Sequence, residues 1–235
     1  FTTDEEANDA RCIASFLSRN KDFGFKEAIV AEPTMAQAVL AHRGIVSTRM
    51  LFKGQAGHAS DPNALELSAV HQAMRWGDKA LNHVQSLQHL RFGGLTGFRF
   101  NIGRVEGGIK ANMIAPSAEV RFGFRPLPSQ DFEALHSTFR SFASEKVLAE
   151  YEETFRGACL PAGDIASAEN RRLEARDLAD SLGLAIGNAV DFWTEAALFS
   201  EAGMTSLVYG PGDIAQAHTA DEWVALDQLA MVVSK

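Results

Sequence analysis

Two stretches decide the fold: FRFNIGRVEGG, Phe98 to Gly108, and AEVRFGFRPL, Ala118 to Leu127. In both, apolar and polar residues alternate, the period of a strand with one buried face and one open face. Upstream, IVSTRMLFKG (Ile45 to Gly54) alternates in the same way, and ALELSAVHQAMRWGDKALNHV (Ala64 to Val84) has helical periodicity. Downstream, DFEALHSTFRSF (Asp131 to Phe142) is helical again, and YEETFRG (Tyr151 to Gly157) returns to alternation. The order β-α-β-β-α-β between Gly44 and Gly157 predicts a ferredoxin-like α+β unit, with both helices on one face of its sheet and the other face open.

The flanks have a different texture. EAIVAEPT, Glu27 to Thr34, is a short apolar run stopped by Pro33, which cannot extend a ladder, and so reads as a buried strand with Glu32 at its carboxyl end. After the inserted unit come an amphipathic helix, ENRRLEARDLADSLG, ended by Gly183, then NAVDFW and a helix-like TEAALFSEAG. The strand TSLVYG (Thr205 to Gly210) and a terminal helix from Asp221 complete the order. The two ends therefore make one α/β domain with a mixed sheet. The predicted boundaries are 1–43 and 158–235 for the α/β domain and 44–157 for the inserted lid.

Composition narrows the partners. Thirty acidic residues against 22 basic ones give a net charge of −8, with no Lys/Arg-rich run, so binding to nucleic acid is not expected. No apolar run is long enough to cross a bilayer, and FTTDEE is not signal-like. Cys12 and Cys159 are far apart and have no neighbouring cysteine, which suits a thiol-keeping compartment, the cytoplasm. Residue 1 is Phe, and FTTDEE reads as the end of a strand, which implies a segment upstream.

Three groups of residues could do chemistry. Glu5 and Glu6 end one strand, Glu32 ends a second, and His218 follows a third through the turn Gly210-Pro211-Gly212. Each has a plainer reading: an acidic first helical turn, a carboxylate cap, a surface histidine. They share one place, the carboxyl ends of strands, where open α/β sheets bind ligands. Carboxylate and imidazole together suit zinc, cobalt or manganese rather than calcium. His42, His71, His83, His89 and His136 have no such support and are read as surface or helix residues.

The motifs FTTDEE, VAEPT, AHRG, GQAGHAS, GGIKANMIAP, FRPLP, WTEA and GPGDIAQAH together resemble the di-zinc amidohydrolases that include acetylornithine deacetylase, succinyl-diaminopimelate desuccinylase, aminoacylase and carboxypeptidase G. The resemblance runs along essentially the whole chain, and WTEA and QAH point to the acetylornithine and acetylcitrulline deacetylase branch. It implies a catalytic α/β domain with an inserted lid that dimerises, and hydrolysis of the N-acyl amide of an acetylated amino acid in arginine biosynthesis. It also implies two divalent metal ions, zinc or cobalt. By the same resemblance Glu5 is the general base, Glu6 and His218 ligate one ion, and Glu32 binds the other. His58 reaches the partner's site to stabilise the oxyanion, Asn112 lies near the substrate, and Arg125 holds its α-carboxylate. The family's His-x-Asp motif and bridging aspartate would lie upstream of TTDEE. A dipeptidase or carboxypeptidase of the same family, or a catalytically incomplete unit that still dimerises, are the alternatives.

Overall fold

The computed structural model describes residues 11–20 and 24–235. Helix α1 (Arg11–Arg19) precedes β1 (Glu27–Val30), and an irregular stretch carries the chain to β2 (Ile45–Lys53). From there the order is β3 (Gly57–His58), α2 (Ala64–Leu67), α3 (Ala69–Ser86), β4 (Arg91–Phe92), β5 (Leu95–Thr96) and β6 (Arg99–Gly107). It continues with β7 (Met113–Ile114), β8 (Ser117–Arg125), α4 (Phe132–Ser141) and β9 (Leu148–Gly157). Helices α5 (Ala168–Ser181) and α6 (Ala196–Glu201), strand β10 (Thr205–Val208) and helix α7 (Leu226–Val233) follow.

The alternating stretches form one antiparallel sheet in the order β6-β8-β2-β9. Its inner face carries Val46, Met50, Phe52, Val120, Phe122 and Phe124 against Ala73, Trp76 and Ala80 of α3 and Phe139 of α4. Alanines at helical spacing let α3 approach closely. Trp76 can then be fully buried because its indole N–H donates to Phe139 O at 2.7 Å. The Phe139 ring lies 5.2 Å from Phe100 and 5.4 Å from Phe124, centre to centre. These strands and helices are the ferredoxin-like order read from the sequence, with a small hairpin, β4-β5, and a two-stranded pairing, β3-β7, added to them.

One periodic run divides where the sequence reads a single helix. Ser68 has ψ 119°, ends α2 and caps α3, accepting from His71 N–H. The end of β2 enforces the break: a Cβ on Gly54 would come within 2.5 Å of Leu67 O and 2.7 Å of Ala69 N. The backbone groups freed there are used, Leu67 O by Gln55 N–H and Ala69 N–H by Ala115 O.

In the rest of the molecule β1 and β10 pair in parallel, Val30 opposite Val208. Helix α5 packs Ala175, Leu178 and Ala179 against Leu207 and Tyr209, and Ala196 of α6 joins Val39, Leu160 and Val208. The terminal helix begins at Leu226, not Asp221, since Glu222 faces back to accept from His218 N–H at 3.3 Å. Among the described residues no helix is long and apolar enough to cross a membrane. One histidine, His42, departs from its expected place as a surface or helix residue, while His136 is a helix residue as read but a buried one. His42 is wholly buried in an irregular connection, and His136, on α4, is buried between Tyr151 Oη at 2.9 Å and Glu153 Oε2 at 2.6 Å.

Candidate functional site

Glu32 lies two residues beyond β1, and His218 lies in the loop after β10, so the loops carrying both leave the same end of one parallel pair. These loops are laced together. Gly210 N–H donates to Thr34 Oγ1 at 3.0 Å, Ala36 N–H to Gly210 O at 2.9 Å, and Met35 N–H to Gly212 O at 2.8 Å. Only glycine fits at 210, where a Cβ would meet Glu32 O at 2.4 Å. His218 itself holds a left-handed backbone, φ 62°, which a non-glycine residue adopts at a cost when a fold or a function requires it. Glu5 and Glu6 lie outside the described residues. Among the described residues no three His, Cys, Asp or Glu side chains converge as metal ligands. Glu32 and His218 offer the right donor chemistry for zinc or cobalt, yet fewer than the three protein ligands a catalytic zinc takes.

His58 and Asn112 form a second locus. His58 pairs with Met113 across β3 and β7, and Ala59 N–H donates to Asn112 O at 3.1 Å. Ser60 N–H points at His58 Nδ1, 3.3 Å away, and Ser60 Oγ is 2.7 Å from the same atom. An amide can only donate, so Nδ1 accepts and the neutral ring carries its proton on Nε2, a donor facing solvent. The side chains of both residues are exposed.

Arg125 is elsewhere. It ends β8, whose nine residues span about 27 Å, while His58 and Asn112 sit beyond that strand's beginning. Within one chain the His58 and Arg125 loci are therefore at opposite ends of the lid sheet. Arg125 meets the junction between lid and α/β domain, beside a buried group that sequence reasoning did not single out. Arg43 is fully buried, donating through Nε to Asp191 and through its two Nη atoms to Gly97 O and Thr96 O, each at 2.7 Å. Asp191 also meets Arg99 Nη2 at 3.4 Å. His42 Nε2 lies 3.1 Å from Thr194 Oγ1.

The charges respond to one another. Burial lowers the His42 pKa to about 4; hydrogen bonds to Arg43 and Thr194 oppose the drop, and the Arg125 charge adds to it. Burial also lowers Arg125, with Asp191 pulling its pKa up and Arg43 pushing it down. Burial would raise Asp191, but the bond and charge of Arg43, with Arg99, hold it below the usual carboxylate range. The available signals were the AHRG motif and the NAVDFWTEA segment, 148 residues from Arg43 to Asp191.

Residues 40–150 match the family model described as the peptidase dimerisation domain. It is 67% identical, over 99% of its length, to the N-acetyl-L-citrulline deacetylase of Xanthomonas campestris, covering 63% of that protein. An acetylornithine deacetylase of Pectobacterium carotovorum is 30% identical over 95% of the chain, which covers 58% of it. The chain thus spans about three-fifths of the curated relatives it matches. Among solved structures, the aminopeptidase PepT of Bacillus cereus superposes with a TM-score of 0.70 at 18% identity, over 98% of this chain and 60% of that one. A tripeptidase of Staphylococcus aureus does so at 0.65 and 21%, over 99% of this chain and 60% of that one. These two likenesses establish the fold.

Proposed function

We propose that the protein hydrolyses the acetyl amide of an N-acetylated amino acid, acetylcitrulline or acetylornithine, releasing acetate in arginine biosynthesis in the cytoplasm. The observation that carries this reading is the 67% identity, along nearly the whole chain, to a protein named for that reaction. The division of labour follows the boundaries 1–43 and 158–235 for the catalytic domain and 44–157 for the lid.

Glu6, Glu32 and His218, together with further ligands, would hold two divalent ions, zinc or cobalt, which would supply Lewis acidity at the site. Glu5 takes the proton of the attacking water and returns it to the departing α-amine. Arg125 holds the substrate carboxylate in a guanidinium fork, and Asn112 borders the substrate. His58, through Nε2–H, donates to the carbonyl oxygen as negative charge develops there.

His58 and Arg125 can serve one site only if they come from two chains. The lid favours such a homodimer. Strand β6 is an edge of its sheet, and beside it α3 turns Met74 and Leu81 outward, with half-buried Val70 and Gly77 along the same stripe. Val70 lies against Gly108 and Gly77 against Ile102, which keeps that stripe next to β6, where Val105 is also exposed. An exposed edge flanked by apolar side chains pairs with its own copy about a two-fold axis. Antiparallel pairing of β6 with β6 carries the His58 end of one lid towards the Arg125 end of the other.

The test is acetate release from N-acetyl-L-citrulline and N-acetyl-L-ornithine by zinc- or cobalt-loaded protein; release from peptides alone would replace the reading with a peptidase. His58→Ala is expected to lower kcat by about 100- to 1,000-fold. Mixing inactive His58→Ala and Arg125→Ala chains should restore about a quarter of the activity, because half of the dimers are hybrids with one intact site. No recovery on mixing would place both residues in the same chain's site or in none.

A further inference from the structure

Arg99 and Arg125 stand directly opposite one another on β6 and β8, both on the open face of the lid sheet. Directly opposed side chains start about 5 Å apart at Cβ, and like charges in that position repel. A third guanidinium, Arg43, lies close enough for its charge to act on Arg125. Asp191 is the carboxylate bonded to this group: Arg43 takes one of its oxygens and Arg99 reaches the other at a loose 3.4 Å. Arg43 places one N–H from each of its three nitrogens on Asp191 and two backbone carbonyls. Arg125 has no ion pair among the described residues, and Arg99 is half exposed. The two therefore keep N–H donors facing a cavity of about 610 Å³ that both line together with Asn101 and Gly123. Three cations gathered around one anion leave an excess of positive charge that a second carboxylate would balance.

We propose that Arg99 and Arg125 grip one carboxylate group of the substrate as a pair, and that Asp191, anchored by buried Arg43, is the positioning residue that aims Arg99. This rests on the reading of Arg125 as a carboxylate ligand and adds a second guanidinium and its support. Arg99 becomes a specificity determinant: the site requires a free α-carboxylate and rejects the uncharged amide, which cannot offset the two like charges.

The experiment follows the arginine Nε resonances of the ¹⁵N-labelled protein, assigned with Arg99→Lys and Arg125→Lys, during titration with N-acetyl-L-citrulline and with its α-carboxamide. The acid should move the Arg99 and Arg125 signals together, with one dissociation constant, and the amide should move neither. Asp191→Asn should weaken the acid about tenfold and uncouple the Arg99 signal from that of Arg125, while Asp191→Glu restores both. Thermal melts confirm that each variant is folded. Movement of Arg125 alone, or two different constants, overturns the pair and leaves the Arg125 reading intact. If neither signal responds to the acid, the Arg125 reading falls as well.

Discussion

The lid and the β1/β10 region are both sheets covered by helices, yet they are held together differently. In the lid, long antiparallel strands press one continuous face of aromatic and aliphatic side chains onto α3 and α4, and a single cluster runs from Val46 to Phe139. The β1/β10 region has two short parallel strands, its buried side chains fall into separate smaller clusters, and α7 buries none of its residues. The lid thus owes its stability to side-chain packing. The β1/β10 region owes more to backbone hydrogen bonds between loops and to the polar junction at Arg43.

The largest expected effect tests the first half of that contrast. Phe139 touches the rings of Phe98, Phe100, Phe122 and Phe124, so Phe139→Ala leaves a cavity that its neighbours cannot fill. A loss of about 3 to 5 kcal/mol is expected in urea unfolding followed by tryptophan fluorescence. A loss below about 1 kcal/mol would mean that the lid core collapses around the gap and is not the rigid half.

The second effect belongs to the junction and depends on pH. His42 is neutral in the folded protein, with its pKa lowered from 6.5 to about 4. Between those values the unfolded chain binds a proton that the folded chain does not. Stability is therefore full above pH 6.5 and declines as pH falls towards 4, by about 3 kcal/mol if the whole shift is realised. His42→Gln should flatten the dependence of unfolding free energy on pH between 6.5 and 4. An unchanged slope would assign the acid limb to other groups.

The contrast also separates what the sequence discloses from what it hides. Lid strands have one wet and one dry face, so their alternation is visible, and Phe122, Phe124 and Val120 are legible as core from β8 alone. Glu32 and His218 were legible as strand-tip residues because Pro33 and the Gly210-Pro211-Gly212 turn mark where their strands stop. The break at Ser68 was not, because its cause, the close pass of Gly54, comes from a different element. Nor was the burial of His42 and Arg43. Two polar residues side by side read as surface, and only the crossing of segments 95–97, 158–160 and 190–194 encloses them. Pairings as distant in sequence as Arg43 and Asp191 carry no periodic signal.

The smallest expected effect lies in α7. Its apolar residues are largely exposed, Leu226 and Val233 most of all, and its hold on the body includes a polar grip, Gly212 N–H donating to Gln228 Oε1 at 2.6 Å. Removing a side chain that packs on little leaves no cavity, so Leu229→Ala should change stability by no more than about 0.5 kcal/mol. Gln228→Ala, one residue earlier, removes the acceptor that steadies the loop leading to His218 and should cost about 1 kcal/mol. Paired thermal melts decide the order. If Leu229→Ala proved the costlier of the two, the apolar side of α7 would be covered in the folded protein. The β1/β10 region would then rest on side-chain packing, as the lid does.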